Sequence, residues 1–209
     1  MNLEHLRERT RPQHDATETL MPITATGLTL ATYTSYLGAL YSVLEPWESF
    51  ARLYHPAALT TLVSDRRRAP LLEEDLRQLD SPMPAIIPFD PANIPGLANS
   101  SQHTDPAGVT ASFLGAMYVV EGSSLGGQYL ARHLEATLGL TGERGAAYFR
   151  GYGERTGALW QQFKAVLAAL PDSDEELVVS AAQGMFTLFA RALSVISTQP
   201  SKLEMASLS

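Results

Sequence analysis

Apolar residues return every three or four positions along almost the whole chain, and this period constrains the fold more than any other feature. Tyr33, Tyr36, Leu37, Leu40, Tyr41, Leu44 and Trp47 fall on one helical face, which predicts a long amphipathic helix from about Leu30 to Tyr54. LLEEDLRQL, with Leu72, Leu76 and Leu79, predicts a shorter helix from about Ala69 to Leu79. Asp105-Pro106 has the form of a helix start, an N-cap acid followed by proline at the first position. A long helix is expected from there to about Leu138, closed by Gly139, and another from about Glu143 to Leu170, stopped by Pro171. PDSDEELVV places acids in the first turn of a last helix that reaches about Ser197. No strand pattern or internal repeat competes, so the expected fold class is all-α.

The period fails from Asp80 to Pro106, a proline-rich run too long for an ordinary loop in a compact domain. Its apolar residues Ile86, Ile87, Phe89, Ile94 and Leu97 predict an ordered strap on the helices rather than a linker. With 209 residues, the expectation is one domain over 1–198 and a flexible tail over 199–209.

Two stretches depart from plain core patterning. In TRPQHDATE, His14 shares a helical face with Arg7, Thr10, Arg11, Thr17 and Glu18, so its imidazole is held among polar neighbours and presented outward. Pro12 removes one helical hydrogen bond, and Thr10 with Gln13 could form a capping box that starts a new helix just before His14. That arrangement would put Arg7 out of phase with His14. The second stretch, YVVEGSSLGGQYLARHLE, is helical on both sides yet holds Gly122, Gly126 and Gly127. Each interior glycine costs on the order of 1 kcal/mol relative to alanine, so something must offset about 3 kcal/mol. A close helix crossing would do so, and so would a flat, bulky ligand lying on bare backbone. No GxxxxGK[ST] signature supports a phosphate loop.

Composition narrows the chemistry. With no cysteine, disulfides, thiolate metal sites and a Cys nucleophile are excluded. A formal net charge of -7 argues against nucleic acid as the main partner. The charged N-terminus has no signal-peptide run, and no stretch reads as the roughly 18 apolar residues of a membrane span, so a cytoplasmic location without membrane attachment is expected. A helix with a presented histidine and a helix stripped of side chains together suit a planar metal ligand such as haem.

LRERTRPQHDATE, EGSSLGGQ and AAQGMFTLFARAL together make the chain similar to the haem oxygenase family, most closely its bacteriophytochrome-associated bacterial members. The first resembles that family's proximal-helix motif, the second its distal-helix motif, the third the part of its last helix that brings an aromatic residue to the pocket. The resemblance implies a single-domain helical bundle with haem held between an N-terminal proximal helix and a glycine-rich distal helix. It implies His14 as the proximal iron ligand and Glu18 as the partner of the other imidazole nitrogen. Arg7 and Arg11 would face the propionates, Gly122, Ser123, Gly126 and Gly127 would line the distal face, and Phe186 would close the pocket. Arg150, Arg155, Lys164 and Arg191 are further candidates for the propionates. Among these, His14, Ser123 and Gly126 would serve the chemistry. Ser123 stands where the family's animal members carry aspartate, so backbone groups and a hydroxyl would manage protons there. The implied activity is cleavage of haem, both prosthetic group and substrate, by O2 to biliverdin, CO and ferrous iron. Electrons would come from an external donor, a ferredoxin or reductase, and the biliverdin could supply a bacteriophytochrome. A monomer is the default. Two rival readings are a haem carrier or sensor of the same fold that does not degrade its ligand, and a helical scaffold of that fold that never binds haem. Arg66-Arg67-Arg68 reads as a solvated face, and His5, His55, His103 and His133 as structural.

Overall fold

The computed structural model describes residues 1–98 and 106–197, so the expected Asp105 helix cap and the tail beyond Ser197 lie outside the described residues. Eight α-helices follow one another among the described residues: α1 (Leu3–Thr19), α2 (Leu30–Tyr54), α3 (Thr60–Ser64), α4 (Ala69–Gln78), α5 (Pro106–Leu138), α6 (Ala147–Arg150), α7 (Thr156–Ala168) and α8 (Glu175–Ser197). No strand occurs among the described residues, only isolated bridges in the turn at Thr141–Gly145.

α5 and α8 form the axis of the bundle. α8 also carries α1 and α2, α4 lies on α2, and α6 and α7 lie on α5. Leu6, Tyr33, Leu37, Leu44, Leu72, Leu76, Phe113, Phe163, Val178 and Met185 are buried in one continuous core. Fully burying each such side chain contributes roughly 1.5–3 kcal/mol. Small residues set the α5–α8 distance: a Cβ on Gly115 would collide with the Val178 carbonyl. A second close contact lies further along α5, where a Cβ on Gly127 would run into the Phe149 carbonyl.

The helices over 30–54, 69–78 and 106–138 match the sequence expectation at their described ends, and Gly139 adopts φ +67 where α5 closes. The expected helix over 143–170 does not form as one piece. Gly151 (φ +53) and Gly153 (φ +59) break it between α6 and α7, a left-handed backbone that apolar spacing does not register. The preceding turn is held from elsewhere: Tyr33 Oη donates to the Gly145 carbonyl (2.7 Å), and Gly145 N donates to Gln78 Oε1 (2.9 Å). Asp75 accepts from Ala147 N (2.9 Å) and Tyr148 N (2.8 Å), satisfying the start of α6.

Over its described part the proline-rich strap is only half packed. Ile94 and Leu97 are buried and Phe89 packs edge-on to Trp47 and tilted against Phe50, whereas Ile86 and Ile87 are exposed. α1 also differs from expectation. It runs unbroken through Pro12, and Thr10 Oγ1 donates back to the Leu6 carbonyl (2.9 Å) instead of capping a new helix. Pro12 and Glu8 face solvent, so the carbonyl freed by proline can be hydrated, while buried Leu6 and Thr10 hold the helix to the bundle. Arg7, Arg11, His14 and Glu18 are therefore in phase. Finally, α8 is long and apolar enough, by length and composition alone, to cross a membrane, contrary to the sequence reading. Its apolar positions Val178, Val179, Ala182, Met185, Phe189 and Leu193 are instead buried in the bundle.

Candidate functional site

His14 sits on the outward face of α1 with its side chain half exposed. Its Nδ1 lies 3.3 Å from Asp15 Oδ1 and its Nε2 3.6 Å from Glu18 Oε1. Both ring nitrogens thus have a carboxylate within reach, and a metal taking one of them leaves the other with a partner that orients the ring. The buried ring of Phe186, from α8, meets the imidazole edge-on at 6.0 Å between centroids. Beside them an open cleft of about 340 Å³ runs between α1 and α8, lined by Gln13, Thr17, Leu20, Phe186, Ala190 and Arg191. The Gln13 amide oxygen is buried there without a hydrogen-bond partner among the described residues.

Arg7 and Arg11 are exposed on the same face of α1, Arg11 within 3.6 Å of Asp15. α1 meets α5 where the Tyr118 hydroxyl lies near Thr10 and in the field of Arg7. Burial raises the phenol pKa despite both. His14 and Gly122 each lie one turn along their helices from this contact. The glycine face of α5 is open at this level. A Cβ on Gly126 would meet nothing within 4 Å, and one on Gly122 would meet only the Trp160 ring edge, at 3.9 Å. Gly127 is different. It is buried against α6, so it serves the close helix crossing and not the open face on which the sequence had placed it.

Ser123 is exposed, yet its hydroxyl is occupied: it donates to the Val120 carbonyl (2.7 Å) and accepts from Arg68 Nη1 (2.9 Å). The arginine triplet is therefore not a solvated face. Arg66 and Arg68 are buried, and only Arg67 is substantially exposed, between Glu45 and Glu48. Arg66 pairs with buried Glu121 at 2.5 Å, and Tyr152 Oη donates to the same carboxylate (2.9 Å). Glu48 accepts from Arg68 N (2.7 Å) and Ala69 N (3.1 Å), capping α4 from α2; burial pushes its pKa up to about 7. This polar layer beneath the glycine helix was missed in the sequence. A charge triplet read alone suggests solvent, and its carboxylate partner Glu121 lies 55 residues away.

Of the other candidates, Arg191 borders the cleft, whereas Arg150 is engaged with Glu135 at 2.7 Å. His5 pairs with Glu175, and His55 bonds the Ala51 carbonyl and Thr60, in structural roles. His103 lies outside the described residues.

These residues fit haem. An imidazole with a carboxylate in reach supplies an axial donor, Arg7 and Arg11 supply positive charge for a dianion, and Gly126 leaves a cradle that any Cβ would fill.

Comparisons with known proteins agree. The family model described as Heme oxygenase matches residues 1–194. A heme oxygenase of Xanthomonas campestris is 33% identical over 147 residues, covering 65% of this chain and 75% of that protein. Among solved structures, the NO- and CO-bound heme oxygenase of Neisseria meningitidis superposes with a TM-score of 0.70 at 18% identity, covering 95% of this chain and 93% of that one. The Leptospira interrogans heme oxygenase gives a TM-score of 0.68 at 22% identity, covering 91% and 97%. The fold matches these structures, and the match of the family model along nearly all of the sequence decides the assignment: the chain belongs to the haem oxygenase family.

Proposed function

We propose that this enzyme of haem breakdown holds its substrate beside the α1–α8 cleft, with His14 as the proximal ligand of iron. The presentation of His14 carries this reading: a half-exposed imidazole, edge-on to Phe186, with Glu18 one turn away on the same face. Bound haem supplies the iron that activates O2 against its own ring, giving biliverdin, CO and ferrous iron.

The chain's own residues bind, orient and shield. Glu18 holds one nitrogen of the His14 imidazole, which fixes the tautomer and the ring plane. Arg7 and Arg11 attract the propionates, with Arg191 a further cation at the cleft. Gly122 and Gly126 let the other face of the macrocycle approach the α5 backbone closely, and Phe186 excludes water from the edge beside His14. Electrons come from an external ferredoxin or reductase. The protein acts as a cytoplasmic monomer, and its biliverdin supplies a bacteriophytochrome, a reading that the motif resemblance supports.

The test is a haemin titration followed by ascorbate in air, on the wild type and on His14→Ala. A one-to-one Soret complex that decays to a biliverdin band, with altered ligation in the variant, is expected. A complex that persists unchanged would make the chain a haem carrier. No complex at all would overturn the reading.

A further inference from the structure

Arg68 is almost wholly buried, with 1% of its surface exposed, and it makes no ion pair among the described residues. Its guanidinium lies over the Tyr148 ring at 4.4 Å, and Nη1 donates both to the Val120 carbonyl and to Ser123 Oγ, each at 2.9 Å. Its Nε–H is buried without a partner among the described residues. The other charges in this layer are already committed: Arg66 to Glu121, and Glu48 to the Arg68 and Ala69 backbone amides and to Arg67. The guanidinium also acts on the Glu48 carboxyl of α2 and on the Tyr152 phenol, while on α5 the exposed residues of this stretch, Ser123, Leu125, Gly126 and Tyr129, carry no carboxylate to offset it.

Ser123 is the point where that buried charge reaches the open face. A hydroxyl has one proton to donate and two lone pairs to accept with. The proton of Ser123 is given to Val120 and one lone pair is taken by Arg68, so a single lone pair remains for anything outside. We infer that Arg68 is a positioning residue for the haem reaction: it holds Ser123 as a hydrogen-bond acceptor and sets a fixed positive charge beneath the glycine face. This rests on the placement of haem given above. A group on that side of the haem must then donate to Ser123, and an added negative charge there is stabilised by Arg68 rather than by a side-chain acid.

The pH at which the ferric haem complex converts to its alkaline spectrum tests this, because the alkaline form carries one more negative charge. Arg68→Met is expected to raise the midpoint by about one pH unit, a tenfold change in proton affinity. Arg68→Lys keeps the charge and is expected to stay close to the wild type. Ser123→Ala frees Arg68 from its acceptor and is expected to lower the midpoint. A purely structural role would disturb the Lys and Met variants alike, so equal midpoints in those two overturn the inference. If Arg68→Met does not fold, as judged by circular dichroism, Ser123→Ala decides, and an unchanged midpoint there overturns it. Failure of the wild type to form a haem complex would overturn both this inference and the reading beneath it.

Discussion

The Phe186 ring stands nearly perpendicular to the His14 imidazole, at 79° and 6.0 Å between centroids, although 172 residues separate them in sequence. Edge-to-face packing of this kind adds roughly 0.5–1.5 kcal/mol beyond burial and fixes the plane of the partner ring.

Phe186→Ala therefore removes both a core side chain and the support of the imidazole. The haem-free chain should lose about 3 kcal/mol of stability, and Phe186→Leu considerably less. Chemical denaturation checks this, and haemin titration of the two variants should show affinity falling in the same order.

The neighbouring glycines Gly126 and Gly127 should respond to alanine with opposite signs. At Gly126 the methyl enters open space, and the gain in helix propensity should stabilise the haem-free chain by about 0.5–1 kcal/mol. Haemin affinity should fall at the same time, because the bare face is lost. At Gly127 the methyl meets the Phe149 carbonyl, and the chain should be destabilised by about 2 kcal/mol. Melting curves of both variants, with and without haemin, separate the two roles.

Removing one partner of the buried Arg66–Glu121 pair leaves an uncompensated charge. Glu121→Leu alone should cost about 3–5 kcal/mol, whereas adding Arg66→Met to it should recover most of the loss. A double-mutant cycle by urea denaturation measures the difference.

The fold should lose stability as pH rises through 7. Burial lifts the Glu48 carboxyl to about 7 from an ordinary value of 4.5, so between those values the folded chain holds a proton that the unfolded chain has released. Stability is full below the unfolded pKa and is lost as pH climbs from there through the folded one, by about 3 kcal/mol in all. Asp75, lifted to about 6 by burial, contributes in the same direction over a lower range. Unfolding free energies at pH 5, 6, 7 and 8 should show the decline, and Glu48→Gln should flatten its upper part.

The period of apolar residues located α2, α4 and α5, since each buries one face and closes at a conventional signal such as Gly139. It missed the break at Gly151 and Gly153, because left-handed glycines interrupt a helix without disturbing the spacing around them. Pro12 was over-read, because a solvent-facing proline removes a hydrogen bond that water can replace. For the site, His14 and Glu18 were legible as one face of one helix, whereas the expected new start at Pro12 put Arg7 out of phase until α1 proved continuous. The contact with Phe186 came from motif resemblance, since no local pattern reports a partner on the last helix. The burial of Arg66 and Arg68 was hidden because it depends on Glu121, Val120 and Ser123 in another helix. Gly127 looked like its neighbours, and only the position of the Phe149 carbonyl tells it apart.

Gly115 on Val178 and Gly127 on Phe149 make α5 a beam resting on two supports, about 18 Å apart along the helix. Gly122, near mid-span, has no side chain of its own and meets no backbone from another helix. Between the supports the helix is tied as well, by Glu121 to Arg66 and Tyr152 and by Val120 and Ser123 to Arg68, so the strip at Gly122 is held in place while staying bare. A flat ligand laid against Gly122 and Gly126 would meet a backbone surface that is set before it arrives.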